Sequence, residues 1–305
     1  MKANPQQKIR LDRAAAFCSL AALAYWASVR LFTGFAGALL SLRVPGASMQ
    51  NPAGTGQVEA ALLHLLVNAL ALAAPFLLLF LRGQRGGTML LFRRPIPETG
   101  KPLFLLFWIM MMLGNGAAGL LGHFLPETGS RVELPAEFGL VLLAWLAVGL
   151  VPAIGEELLF RGLMQGYLRP YGSWLSIVGQ AVLFALLHGT GPACVSALFG
   201  GIALGLCAEY SHSLVWGMLF HLYNNTMAMA AQYNLQYGAG LMLQLFLQWG
   251  LPAAVLAAWW MKDRKKKETK QKLRPGLSAA ELLHSPAWMV CTVVLLGNVV
   301  YTTLR

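Results

Sequence analysis

Charged residues are scarce in this chain. Lys, Arg, Asp and Glu together make up 11% of the 305 residues, whereas hydrophobic residues make up 57%. A soluble domain normally carries about 25% charged residues, so this composition excludes an ordinary soluble globular protein. Long apolar runs with few charges instead predict membrane-spanning helices. We therefore expect an all-α fold, a polytopic membrane helix bundle.

Cysteine is also scarce, and its placement excludes two further classes of protein. A disulfide framework or a structural zinc site requires clustered cysteines at regular spacings. The four cysteines have no such spacing, and each lies in an apolar stretch: Cys18, Cys194, Cys207 and Cys291. We interpret them as small hydrophobic residues of the helix bundle.

Acidic residues are outnumbered by basic ones, which gives a net charge of +11. No basic stripe is interleaved with a soluble fold, so we expect no nucleic-acid partner. Most of the 23 Lys and Arg residues fall in alternate loops between apolar runs, and such residues accumulate on the cytoplasmic side of a membrane. This pattern predicts a cytoplasmic N-terminus. It also places the polybasic segment Lys262–Arg274 on the inner surface, where it offers a site for anionic lipids.

The apolar runs divide the chain into three parts. Residues 1–137 hold the first three expected transmembrane helices, residues 138–261 hold a core of helices that contains the candidate site described below, and residues 262–305 hold the polybasic segment and a possible C-terminal helix. We expect eight transmembrane helices, with a ninth possible at Pro286–Leu304. That last run is near the lower limit of about 17 residues for a membrane span.

The core part concentrates polar residues that are costly at membrane depth. The stretch GEELLFRG contains Glu156, Glu157 and Arg161, the stretch FALLH ends at His188, and HLYNN begins at His221. Such residues persist in apolar helices mostly where they line a cavity and have a function. Three separate stretches each supply a part, which predicts one common site.

The spacing of these residues suggests a division of roles. Glu157 and Arg161 are four residues apart and can form an ion pair on one helix face. Glu156 points in another direction by the repeat of about 3.6 residues per turn, which leaves it available as a base. His221 and Asn225 are also four apart, so both can present N–H donors to one point. Hydrolysis needs a base for water and donors for an oxyanion.

The three stretches resemble the EExxxR, FxxxH and HxxxN motifs of the CPBP family (CAAX proteases and bacteriocin-processing proteins, also called Abi), including Rce1-type CAAX prenyl endopeptidases. The resemblance covers about 70 of the 305 residues, with the motifs in the family's order. It implies an intramembrane endopeptidase that acts on a membrane-tethered peptide or protein. From the residues we expect no cofactor. By this resemblance the residues divide into a catalytic group (Glu156, His188, His221 and Asn225) and a supporting group (Glu157, Arg161 and Phe184).

Three alternatives stay open at this point. Glu and His are also zinc ligands, although the HExxH spacing is absent and Asn is not a usual ligand. Intramembrane carboxylates also occur in ion-coupled transporters, although no inverted repeat is visible in the sequence. A non-catalytic immunity or scaffold protein could keep the motifs as structure. The substrate is equally open, between a CAAX-like protein and a bacteriocin or leader-type peptide.

The position of His188 yields a geometric prediction. If the fifth helix were a full span, it would carry His188 about 20 Å away from Glu156, towards the opposite membrane face. A working site cannot be divided in this way. We therefore predict that the fourth helix continues past Arg161 and that the fifth ends part-way through the membrane. The stretch Gly189–Pro192 would then be irregular backbone that lines a cavity.

Overall fold

The computed structural model describes residues 4–45, 57–81, 94–95, 97–125, 134–135, 137–262 and 273–304. Within these ranges the chain forms nine helices of at least 14 residues and no strand. The predicted all-α bundle is therefore confirmed. The helices are α1 Pro5–Arg43, α2 Gln57–Leu81, α3 Pro97–His123, α4 Gly139–Tyr171, α5 Ser173–Leu186, α6 Gly191–Ser211, α7 Leu214–Tyr237, α8 Leu241–Met261 and α9 Pro286–Leu304.

Seven of the nine helices are long and apolar enough to cross a membrane, compared with the eight or nine spans expected. The two others are α5 and α7. His188 follows the end of α5, and α7 carries His221 and Asn225. The 14 residues of α5 rise about 21 Å, short of the hydrocarbon core of roughly 30 Å. This length agrees with the prediction that the fifth helix ends part-way. The predicted lipid site at Lys262–Arg274 lies almost entirely outside the described residues.

The fourth helix continues past Arg161, as predicted, but it is not a uniform α-helix. It contains two π-turns, Leu146–Leu150 and Glu157–Met164. Pro152 follows the first of them, and a proline lacks an N–H and clashes with the carbonyl group of the preceding turn. Helix α8 repeats the arrangement, with a π-turn at Phe246–Gly250 before Pro252.

A ladder of polar side chains holds α4 against α6. Residues four apart share a helix face. Three side chains of α4 at this spacing bond to three residues of α6 at the same spacing. Arg161 Nη2 donates to Gly201 O (3.5 Å), Gln165 Nε2 to Gly205 O (3.0 Å), and Arg169 Nε to Glu209 Oε2 (2.8 Å). The constant offset along both helices means that α4 and α6 run parallel, with the shorter α5 returning between them.

The hydrophobic core consists of two main clusters of buried side chains. One joins α1, α4, α5 and α9 and includes Phe160 and Phe184. The other joins α3, α6 and α7 and includes Phe220, the neighbour of His221. The polar motif residues therefore lie where the two clusters meet.

Candidate active site

The ion pair predicted from the i,i+4 spacing is present and fully buried. Arg161 Nη1 donates to Glu157 Oε1 at 2.8 Å, and both side chains have no exposed surface. The guanidinium group also lies 4.3 Å from the centre of the Phe184 ring, in cation–π contact. A Cβ atom on Gly217 would lie 2.7 Å from Glu157 Oε2. The glycine thus allows the carboxylate to lie directly against the backbone of α7.

His221 contacts both acids of the site. Its Nδ1 lies 3.0 Å from Glu157 Oε1, and its Nε2 lies 3.8 Å from Glu156 Oε2. An ionised carboxylate only accepts hydrogen bonds, so Nδ1 must carry a proton. Nε2 therefore donates a hydrogen bond only when the imidazole is doubly protonated.

The two acids have different partners. Glu157 makes the ion pair with Arg161, and the two carboxylates approach opposite nitrogen atoms of the His221 ring. Glu157 thus has two contacts, since it pairs with Arg161 and also orients His221.

Glu156 is held by a residue that sequence reasoning missed. The hydroxyl group of Tyr25, on α1, donates to Glu156 Oε1 at 3.2 Å. Helices α1 to α3 carry none of the motifs, so no sequence pattern connects α1 with the site. The one available signal was a tyrosine in the middle of an apolar helix, because a buried tyrosine hydroxyl usually finds a hydrogen-bond partner.

His188 lies two residues beyond the end of α5, in the turn that leads into α6. Its Nδ1 lies 2.8 Å from the carbonyl oxygen of Phe184. A carbonyl group only accepts, so Nδ1 carries the proton, and Nε2 keeps a lone pair in the neutral ring. Gly189, with φ +86°, lets the chain reverse. The irregular backbone expected at Gly189–Pro192 is shorter than predicted, because Gly191 and Pro192 already belong to α6. Proline is favourable in the first turn of a helix.

Glu156 and His188 line the same cavity. Its volume is about 100 Å³, and its other lining residues are Tyr25, Phe160, Phe184 and Leu187. A cavity of this size with polar groups on its wall can hold water. The two side chains therefore meet around one space, as the short fifth helix predicted.

Asn225 lies against the first π-turn of α4. Its Nδ2 donates to Gly149 O at 3.1 Å, and it does not belong to the described lining of the cavity of Glu156 and His188. Asn68 of α2 makes the matching bond to Ala147 O at 3.0 Å. Both acceptors lie in the first π-turn of α4, where the altered hydrogen bonding leaves carbonyl groups available. One N–H of the Asn225 amide is thus bonded to the backbone of α4.

The acids and imidazoles do not form a metal-ligand cluster. Among the described residues, no group of three or more His, Cys, Asp or Glu side chains is arranged to hold a metal ion. In the site itself, His221 Nδ1 and His188 Nδ1 are each directed at an oxygen acceptor. Such Nδ1 contacts occur in histidines with a free Nε2 and in histidines that bind a metal through Nε2.

Comparison with known families connects this geometry with a class of protein. A family model described as Rce1-like, type II CAAX prenyl endopeptidase Rce1-like, matches residues 138–227. The matched segment runs from the start of α4 into α7 and contains all seven motif residues, so the predicted resemblance is confirmed. The chain is thus an integral, multi-pass membrane protein, and its residues 138–227 are similar to the Rce1-like family. Comparisons with curated proteins and with solved structures found no match.

Proposed function

We propose that the protein is an intramembrane endopeptidase in which Glu156 and His188 activate water. The observation that supports this most is that the carboxylate of Glu156 and the ring of His188 line one small cavity. Both residues lie in the Rce1-like segment. A carboxylate and a neutral imidazole facing the same space are suited to general-base work on water.

The reaction proceeds in two stages. The water oxygen forms a bond to the carbonyl carbon of the scissile peptide while its proton passes to the Glu156 carboxylate, assisted by His188 Nε2. The carbonyl electron pair moves to oxygen and makes an oxyanion. When the oxyanion collapses, the C–N bond breaks and the stored proton goes to the leaving amine. A positioned general base of this kind typically contributes about 10²–10⁴-fold in rate.

His221 stabilises the oxyanion when its ring is doubly protonated. Its Nδ1–H donates to Glu157, so Nε2–H is the donor directed towards Glu156 and the reacting groups. Loss of one such donor typically lowers kcat about 10²–10³-fold. Asn225 has a second N–H besides the one bonded to Gly149 O, and we assign it a smaller share of the same work.

The substrate is a membrane-tethered peptide or protein, of the CAAX-like or the bacteriocin and leader type. The described part of the chain has seven candidate membrane spans, so such a substrate reaches the site without leaving the bilayer. With a cytoplasmic N-terminus, the lower half of α4 and the turn into α5 face the cytoplasm. The basic segment Lys262–Arg274 then binds anionic lipids beside it.

The experiment that tests this proposal compares the membrane peptidomes of cells that express the wild-type protein and Glu156→Gln. We expect a set of cleaved peptides that disappears in the variant. Glu59→Gln makes the same acid-to-amide change at the surface, where Glu59 pairs with Arg43, and should leave the peptidome unchanged. Identical peptidomes for wild type and Glu156→Gln would contradict the protease and favour a transporter or a scaffold.

A further inference from the structure

Tyr25 reaches the site from outside the segment that defines the family. The family model matches residues 138–227, whereas Tyr25 lies on α1. Its hydroxyl group nevertheless donates to Glu156 Oε1 at 3.2 Å, and its side chain forms part of the cavity wall. Its ring meets the ring of Phe160 edge-on, with 6.5 Å between the centroids.

This hydrogen bond is not needed to hold α1 in place. Phe17 stacks on Tyr167 with ring centroids 4.4 Å apart, and Cys18 Sγ lies 3.7 Å from Met164 O. Both contacts already fix α1 to the lower part of α4. The direction of the Tyr25 hydroxyl group towards a carboxylate in the cavity therefore points to a role in the site.

We propose that Tyr25 is a positioning residue for Glu156, an inference that rests on the proposed role of Glu156 as the base. The hydrogen bond engages Oε1 and fixes the plane of the carboxylate. Oε2 is then the oxygen that faces Nε2 of His221, 3.8 Å away. A carboxylate held by one donor in a low-dielectric site keeps its second oxygen in a defined position for water. The active site thus extends beyond the Rce1-like segment into α1.

Steady-state kinetics of Tyr25→Phe test the proposal, because this change keeps the ring and removes the hydroxyl group. The probe is an internally quenched peptide that ends in a farnesylated CAAX sequence, presented in proteoliposomes. We expect kcat to fall about 10-fold, near the lower end for a hydrogen bond to a charged group. KM should stay within about twofold, since the phenol acts on the base and not on substrate binding.

Tyr223→Phe is the matched control. The Tyr223 hydroxyl group donates to Leu247 O at 2.6 Å, so the variant also loses one partly buried tyrosine hydrogen bond, at a position away from the cavity. It should leave kcat unchanged, and both variants should unfold near the wild-type temperature. An unchanged kcat in Tyr25→Phe, or an equal loss in both variants, would overturn the proposal.

A second measurement does not depend on the substrate. With 3-fluorotyrosine at position 25, the ¹⁹F resonance should shift in Glu156→Gln, because the amide is a weaker acceptor than a carboxylate. The same label at position 223 should not shift. An unmoved resonance at position 25 would overturn the contact itself. If wild-type protein leaves the farnesylated peptide intact while the resonance shifts, the CAAX form of the proposed function fails and the contact between Tyr25 and Glu156 stands.

Discussion

Glu157 offers the sharpest test of the site, because its carboxylate has two separable tasks. It neutralises Arg161, whose side chain is completely buried, and it accepts the Nδ1 proton of His221. Glu157→Ala removes both functions and leaves a guanidinium group without its counter-charge inside the bundle. Breaking a buried pair in this way typically costs about 3–5 kcal/mol. We therefore expect the free energy of unfolding to fall by about that amount and the activity to be lost.

A double variant separates the two tasks. Glu157→Leu combined with Arg161→Met replaces both charges by apolar side chains of similar size, a change that is often neutral for stability. This double variant should recover most of the free energy of unfolding. It should stay inactive, with kcat at least about 10²-fold below wild type, because His221 has lost the acceptor that orients its ring.

The assay is unfolding in mixed micelles followed by circular dichroism, together with peptide cleavage at saturating substrate. Glu59→Ala is the control, since it breaks an exposed ion pair. The side chain of Glu59 is 37% exposed and that of its partner Arg43 is 71% exposed. That change should cost less than about 1 kcal/mol. A fully stable Glu157→Ala protein would refute the reasoning about the buried charge. A double variant with more than about a tenth of wild-type activity would refute the orientation of His221 by Glu157.

Three further predictions concern the chemistry. Glu156→Gln and His188→Ala should each lower kcat about 10²–10⁴-fold without a change in unfolding temperature, and a smaller loss in either would contradict its assignment as a base. Asn225→Ala should lower kcat less than His221→Ala, because the Asn225 amide is already bonded to Gly149 O; the reverse order in cleavage assays would make Asn225 the main oxyanion donor. Purified protein treated with a strong chelator should keep its activity, whereas a loss restored by stoichiometric zinc would support metal-activated water instead.

The helices of this protein and its local pairs could be predicted from the sequence. Apolar run lengths placed the last helix at Pro286–Leu304, with the bounds that the structure has. The spacing of Glu157 and Arg161 predicted their ion pair. The requirement that one site cannot be divided between membrane faces predicted a short fifth helix and a common cavity for Glu156 and His188.

The π-turns of α4 were not predicted from the sequence. One of them contains Gly149, whose carbonyl group accepts a hydrogen bond from Asn225. Prolines closely follow two of the described π-turns, at Pro152 and Pro252, whereas the next proline after Glu157–Met164 is Pro170. A rule based on nearby prolines therefore does not locate all of them.

The sequence by itself determined the contacts between residues that are close in the chain. The tertiary structure decided which residues that are distant in the chain come into contact. The covalent geometry of a helix fixes the contact between residues four apart, so Glu157 and Arg161 pair without reference to other helices. The contact of Tyr25 with Glu156 joins positions 131 residues apart in the chain. It depends on the rotation and depth at which α1 packs against α4, and those are set by the fit of many side chains at once. No spacing rule within one segment encodes that fit.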